Sequence, residues 1–297
     1  MKVCAPAKIN LFLHVTGRRP DGYHTLFTLM VPVGLCDELT ITVDAGPGDI
    51  RVACDDPRLP ADSSNLAFQA ASVFLQRCEN LPGFQPKPGI HISIRKQIPV
   101  AAGLGGGSSD AAAVLVGLNR HFGDPFTRDD LMRMGLGVGA DVPFFVCGRP
   151  AIVTGIGENV QPYPHSLSYH VLLVFPGIRV STAEVYKNLD LGLTNCEKKL
   201  KKLLLGQQAF DAVCHTCNDL ESFTLPMFPE IAAAKQVLVE LGAASALMSG
   251  SGSAVFGLFD NLSKARNARE TLRRRKQTWS VVLTELVGDM DQRYQQR

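Results

Sequence analysis

Residues 99–109 read Pro99-Val100-Ala101-Ala102-Gly103-Leu104-Gly105-Gly106-Gly107-Ser108-Ser109, and an alanine-rich run follows from about Asp110 to Phe122. Before the stretch, residues 90–98 alternate: Ile90, Ile92, Ile94 and Ile98 share one face, with Lys96 on that face near its end. Period two marks a strand, and the alanine-rich run suits a helix. A strand, a glycine-rich loop and a helix in that order can cradle an anion. Glycines let backbone N–H groups close around it, and the helix N-terminus adds partial positive charge. Ser108 and Ser109 offer hydroxyls to phosphate or to Mg²⁺. The loop is not a Walker A, because no Gly-Lys-[Ser/Thr] follows, and Ser108 stands where a dinucleotide fingerprint needs its third glycine. A tight turn into a packed helix accounts for the same glycines without any ligand.

Working outward, residues 3–15 alternate as a strand. Ala5, Ala7, Ile9, Leu11 and Leu13 fall on one face, and Pro6, Lys8, Asn10, Phe12 and His14 on the other. Pro20-Asp21-Gly22 makes a turn, and strand-like segments follow near 26–33 and 38–43. A helix is expected over 65–78, capped by Ser63, Ser64 or Asn65. Thr127 with Asp130 resembles a capping box for a helix that stops around Gly135 to Gly139, just before Ala140-Asp141-Val142-Pro143. Near residue 155 the pattern changes to strands and helices in alternation, with strands at 170–175, 245–248, 253–259 and 279–286 and helices near 229–241 and 263–275. A capping box at Ser181–Glu184 places Tyr186 in the first turns of another helix. The expectation is α+β with two domains, 1–154 and 155–297, the second a ferredoxin-like plait.

With 297 residues the chain can bury two cores. Lys and Arg total 30 against 28 Asp and Glu, a net charge of +2 that argues against nucleic acid as a partner. The basic runs Arg273–Lys276 and Lys198, Lys199, Lys201 and Lys202 have no interleaved aromatics and read as wet helix faces. No apolar run reaches the ~20 residues of a membrane span. Lys8 and Asn10 interrupt the one start that could pass for a signal peptide, so a cytoplasmic protein is expected. The eight cysteines show no framework spacing. Cys214 and Cys217 lack the second pair of a zinc site, so reduced thiols and no bound metal are expected.

Three further places could carry chemistry. Asp141 is either the N-cap of a short helix or a carboxylate that accepts a proton from an attacking hydroxyl. Lys8 either snorkels to water or sits beside Asp141 and keeps it ionised. Tyr23-His24 could stack on a base and bond its edge, or simply pack a hairpin. The second glycine-rich segment, Ser249-Gly250-Ser251-Gly252-Ser253, reads as a hairpin turn, a lid or a second anion cradle.

Together these segments resemble the GHMP kinase superfamily. The resemblance rests on Pro6-Ala7-Lys8-Ile9-Asn10-Leu11-Phe12-Leu13, the loop Pro99–Ser109, Gly139-Ala140-Asp141-Val142-Pro143-Phe144-Phe145 and Ser249-Gly250-Ser251-Gly252, in that order. It covers residues 3 to about 260. Arg19-Pro20-Asp21-Gly22-Tyr23-His24 resembles the branch that serves isoprenoid-precursor synthesis and takes a cytidylyl sugar alcohol. The resemblance implies a two-domain fold, ATP with Mg²⁺, and a small-molecule acceptor, in a monomer or weak homodimer. Asp141 would be the general base and Lys8 its partner. Pro99 to Ser109 would hold the ATP phosphates, with Asn65 on the adenine side and Lys96 near the nucleotide. Tyr23 and Tyr186 would sandwich the cytosine, His24 would bond its edge, and Asn10 and Thr182 would touch the acceptor. Another GHMP kinase, a decarboxylase of that superfamily and a non-catalytic nucleotide-binding module are the alternatives.

Overall fold

The computed structural model describes residues 1–44, 48–79, 81, 84, 88–193, 196 and 210–290. The first half runs β1 (Lys2–Arg18), β2 (His24–Asp44), β3 (Ile50–Cys54), α1 (Leu66–Cys78) and β4 (Gly89–Arg95). It continues through α2 (Gly106–His121), α3 (Arg128–Val138), α4 (Val142–Cys147), β5 (Ala151–Gly155) and β6 (Asn159–Pro162). Next come β7 (His170–Phe175), α5 (Thr182–Asn188), a short 3₁₀ turn at Leu191–Leu193, α6 (Ala212–His215) and β8 (Cys217–Asn218). The chain closes with α7 (Glu221–Met227), α8 (Pro229–Glu240), β9 (Ser245–Met248), β10 (Val255–Phe259), α9 (Leu262–Arg275) and β11 (Ser280–Glu285).

Two sheets organise these elements. The first has the order β3-β4-β2-β1-β8, with β5 also paired to β2 and β6 to β5. The two segments expected near 26–33 and 38–43 are one strand. Its early residues pair with β5 and its later ones with β4, while β1 lies along the other edge. The turn before it closes as expected: Gly22 sits at φ +89° and donates to Arg19 O at 3.0 Å. The second sheet has the antiparallel order β11-β7-β10-β9. In chain order that is 4-1-3-2, the ferredoxin-like arrangement.

β1 departs from simple alternation. Its pairing with β2 slips between Pro6 and Lys8, between Asn10 and Phe12, and between Val15 and Gly17. At the first slip the extra residues lie in β2; at the other two β1 carries one extra residue, which reverses its side-chain parity. The apolar set expected on one face is divided among three cores. Ala5 packs in the first half's core, Ala7, Ile9 and Leu11 in a central one, and Leu13 with the second sheet. Phe12, expected on the opposite face, joins Ile9 and Leu11.

The first sheet takes in β6, past residue 154, and the second begins at His170. We propose the domain boundary between those strands, at 163–169. The halves are laced together there and beyond. β8 runs parallel to β1, and Val33 bridges to Leu286. Cys217 is disulfide-bonded to Cys196, so the pairing corrects the expectation that these thiols are free; Cys214 is exposed and outside the bond. The run Lys198–Lys202 lies outside the described residues. Among the described residues no helix is long and apolar enough to cross a membrane.

Candidate active site

β1 brings Lys8 and Asn10 to the floor of a cleft of about 1000 Å³. Lys8 is only 4% exposed, and its backbone N–H donates to Leu104 O at 3.0 Å. The Lys8 Nζ donates to Asn10 Oδ1 at 2.6 Å and to Gly103 O at 2.9 Å, and lies 4.0 Å from Asp141 Oδ2. Burial pushes the Lys8 ammonium below its ordinary pKa, and the charge of Asp141 opposes that shift. Asn10 cannot turn freely. Its Nδ2 donates to Thr28 Oγ1 at 2.8 Å, and that hydroxyl donates to Phe12 O at 2.6 Å. The amide oxygen is thereby aimed at Lys8.

Asp141 occupies the N-cap position of α4, yet its side chain makes no capping hydrogen bond. It is 32% exposed, and its carboxylate lines the cleft. Of the two readings of Asp141, the cap is present in backbone only.

The glycine-rich stretch is part loop and part helix. α2 starts at Gly106, so Gly106 to Ser109 form its first turn instead of lying in the loop. Gly105 is the N-cap at φ +71°. At Gly103, φ is +75° and an added Cβ would come within 2.0 Å of Ser249 O. Only glycine allows that approach. It lets the second glycine-rich segment, between β9 and β10, press on the first: Ser249 Oγ donates to Gly103 O at 3.0 Å, and Ala254 N to Ala102 O at 3.2 Å.

Lys96 lines the cleft, but its ammonium is held between Asp37 and Asp110, the latter at 2.7 Å. Asp37 also accepts from Gln97 N at 2.6 Å and Ile98 N at 2.8 Å. This buried cluster ties the entry of the loop to α2 at Asp110, just past its first turn. Burial pushes the Asp110 carboxyl up to about 7, against the pull of Lys96. Burial lowers the proton affinity of Lys96, and the carboxylates of Asp110 and Asp37 outweigh it, so its net shift is upward.

The far end of the cleft is aromatic. Tyr186, in α5, stands with its ring centroid 5.2 Å from His24, tilted by 31°. Burial, reinforced by the Asp141 charge, raises its phenol. Burial lowers the His24 pKa, and Arg18 adds to that. Tyr23 is 64% exposed at the rim. Thr182 Oγ1 and Ser251 Oγ share a hydrogen bond of 2.7 Å across the cleft.

Lys8, Asn10, Tyr23, His24, Lys96, Pro99 to Ser108, Asp141, Thr182 and Tyr186 thus line one cavity. Two expected residues stand apart. Asn65 caps α1, its Oδ1 accepting from Ala67 N at 2.9 Å while Nδ2 donates to Pro60 O at 2.8 Å. Ser109, at the end of the first turn of α2, is fully buried and does not line the cleft. Arg18 and Lys187 line the cleft without having been singled out. Each adjoins a residue that was, so widening the motifs by one position would have found them.

Residues 65–149 match the family model for the GHMP kinases N terminal domain, and residues 195–277 match that for the GHMP kinases C terminal domain. Fold and cleft together define that class. The chain is 46% identical to the 4-diphosphocytidyl-2-C-methyl-D-erythritol kinase of Geobacter sp. (strain M21), over 90% of this chain and 92% of that one. Identity is also 46% to the enzyme of that name from Syntrophotalea carbinolica, over 96% and 98%. A crystal structure of 4-(cytidine 5'-diphospho)-2C-methyl-D-erythritol kinase superposes with a TM-score of 0.76 at 36% identity, covering 97% of this chain and 100% of that one. The chain belongs to the 4-diphosphocytidyl-2-C-methyl-D-erythritol kinase family of GHMP kinases. A homoserine kinase at 18% identity, TM-score 0.71, shares the fold.

Proposed function

We propose that this chain transfers the γ-phosphoryl group of ATP to the 2-hydroxyl of 4-diphosphocytidyl-2-C-methyl-D-erythritol, in the methylerythritol phosphate route to isopentenyl diphosphate. The observation that carries the reading is the Lys8–Asp141 pair, set in one cleft between a glycine cradle and an aromatic end. Asp141 takes the proton of the acceptor hydroxyl as its oxygen bonds to phosphorus, and ADP leaves. Lys8 keeps Asp141 ionised and offsets the charge that develops on the transferring group. The backbone N–H groups of residues 103–108 and the N-terminus of α2 receive the ATP phosphates. The positive φ at Gly103 and Gly105 supports this, since a Cβ at 103 would strike Ser249 O and one at 105 the Phe145 ring, so the tight turn into α2 needs glycine at both.

Mg²⁺, when bound with ATP, would neutralise phosphate charge. Ser108, in the first turn of α2 and facing the cleft, would give it one of the oxygen donors that a hard cation prefers. Lys96 serves the nucleotide site indirectly, by fixing the loop through Asp37 and Asp110. Tyr186 and His24 with Tyr23 receive the cytosine. Asn10 and Thr182 face the rest of the acceptor. This binding, remote from the reacting hydroxyl, is used to align it. The setting we propose is the cytoplasm, as a monomer or weak homodimer.

The test is turnover of Mg²⁺-ATP with the cytidylyl acceptor, beside Asp141→Asn. Product formation that requires the cytidylyl group, and a loss of at least ~100-fold in the variant, are expected. Wild-type protein that binds ATP but leaves this acceptor unphosphorylated would sink the assignment.

A further inference from the structure

Residues Asn218 to Glu221 join the second half of the chain to β1. Asn218 is 5% exposed and its side chain is fully committed. Its Nδ2 donates to Met248 O and to Gly250 O, each at 2.8 Å, and its Oδ1 accepts from Leu220 N at 3.0 Å. Glu221 Oε1 accepts from Met248 N at 2.8 Å. Asp219 grips the other side: its Oδ2 accepts from Val15 N at 2.9 Å and bonds His14 Nδ1 at 2.6 Å. One short segment therefore holds both the root of the loop 249–253 and the strand that carries Lys8.

The loop meets Lys8 at Gly250. This glycine has φ +55°, and a Cβ there would lie 3.3 Å from Lys8 Nζ and 3.5 Å from Asn10 Oδ1. Gly103 O accepts both the Lys8 ammonium and the Ser249 hydroxyl. The loop brings no titratable side chain to Lys8, and neither does the stretch 103–105. From α4's N-cap, Asp141 supplies the facing charge at 4.0 Å.

We propose that Asn218 is a positioning residue for phosphoryl transfer, holding residues 249–253 as a cover over Lys8 so that its ammonium stays aimed at Asp141 and the acceptor hydroxyl. An amide is a neutral group that can donate to two carbonyls and accept a third bond. Alanine would leave two buried carbonyls unpaired. Aspartate would set an oxygen against them, which costs more. A released loop admits water to Lys8. Burial is what depresses the proton affinity of Lys8, so solvation raises it. The alkaline limb of kcat then moves to higher pH.

The activity arm of this proposal rests on the kinase reading, and the titration arm does not. The experiment compares wild type with Asn218→Ala and Asn218→Asp, using Leu238→Ala as a destabilised control whose side chain packs in the second sheet's core. Lys8 titration is followed by NMR of its labelled side chain, together with kcat, both KM values and melting temperature. The expected result is an upward shift of the Lys8 titration in both Asn218 variants. With it come a fall in kcat of about 10- to 100-fold, from misalignment alone, and KM values changed only a few-fold. Leu238→Ala should melt lower and leave Lys8 and kcat as they were. If the Asn218 variants do not fold, Ser249→Ala loosens the same loop at its other tie, the bond to Gly103 O, and should give a smaller shift of the same sign. Lys8 titrating as in wild type, or moving as far in Leu238→Ala, overturns the proposal. Absence of wild-type turnover would overturn the kinase reading instead and leave the Lys8 titration to decide on Asn218.

Discussion

At the residue scale, the cleft is organised by which charged groups the fold has already used. Asp37 accepts two backbone N–H groups and Lys96, and Asp219 accepts from Val15, Cys196 and His14. Asp141 caps nothing with its side chain and faces Lys8 instead. Replacing Lys8 by Met keeps most of the volume and removes the charge. We expect kcat to fall at least ~100-fold while KM for ATP changes little, because the ammonium acts on the transferring group. Steady-state kinetics with both substrates checks this, and a loss confined to KM for ATP would make Lys8 a nucleotide ligand. The sign of the pH effect follows from burial. The Lys8 ammonium loses its proton below the 10.5 of a free side chain, so activity should decline on the alkaline side earlier than a solvated lysine would allow. Tyr186 makes a separate prediction. Tyr186→Phe keeps the ring beside His24 and should leave acceptor KM nearly unchanged. Tyr186→Ala should raise it about 3- to 10-fold, the worth of one aromatic contact, and spare KM for ATP.

At the element scale, the phosphate loop is held at both ends by the buried Asp37–Lys96–Asp110 cluster, and this has a consequence for stability. The Asp110 carboxyl lies near 7 in the folded protein against 3.8 for an ordinary aspartate. Below about 4 both states carry the proton and the group is neutral to folding. As pH rises from about 4 to about 7, the unfolded chain ionises freely while the folded one resists, so stability is lost across that window. Asp110→Asn should flatten this slope in denaturant titrations at pH 4.5 and 7.5, and an unchanged slope would assign it to other groups. The opposite contribution from Asp56 and Asp130, both held near 2, falls below pH 4 and does not overlap. For α1, Asn65→Ala should cost about 0.5–2 kcal/mol of stability as a lost cap and leave KM for ATP unchanged. A large rise in that KM would restore Asn65 to the adenine side. Elements of this kind were legible in the sequence wherever the signal is local: the turn at 20–22, the caps at Asn65 and Thr127, and the strand–glycine–helix order at 90–122. The bulges of β1 were not, because parity is reversed by pairing with β2 and not by anything β1 itself encodes. Asn218 was missed for the same reason. Its partners Met248 and Gly250 are far along the chain, and no spacing rule joins them.

At the scale of the whole molecule, two sheets of different topology share a core, and this decides how the protein unfolds. The central cluster holds Ile9 and Leu11 from β1, Val171 and Leu173 from β7, and Phe256 and Leu258 from β10. Neither half can expose its share of that cluster without exposing the other's, and burial of each such side chain is worth about 1.5–3 kcal/mol. β8 and the Val33–Leu286 bridge add backbone pairing across the divide. Domains joined by a thin polar interface unfold separately, whereas a shared apolar core couples them. We therefore expect one transition in urea. Trp279, the single tryptophan, packs against the second sheet's core with Lys276 over its ring and reports on that half by fluorescence. Cys78, fully buried at the end of α1, reports on the first half by its reactivity to a pulse of thiol reagent, read on its own peptide by mass spectrometry. The two midpoints should coincide with the Cys196–Cys217 bond intact. If Trp279 became solvated well before Cys78 reacted, the second sheet would be an independent folding unit. The position of residues 249–253 over Lys8 would then depend on docking between the halves, and not on a core they hold in common.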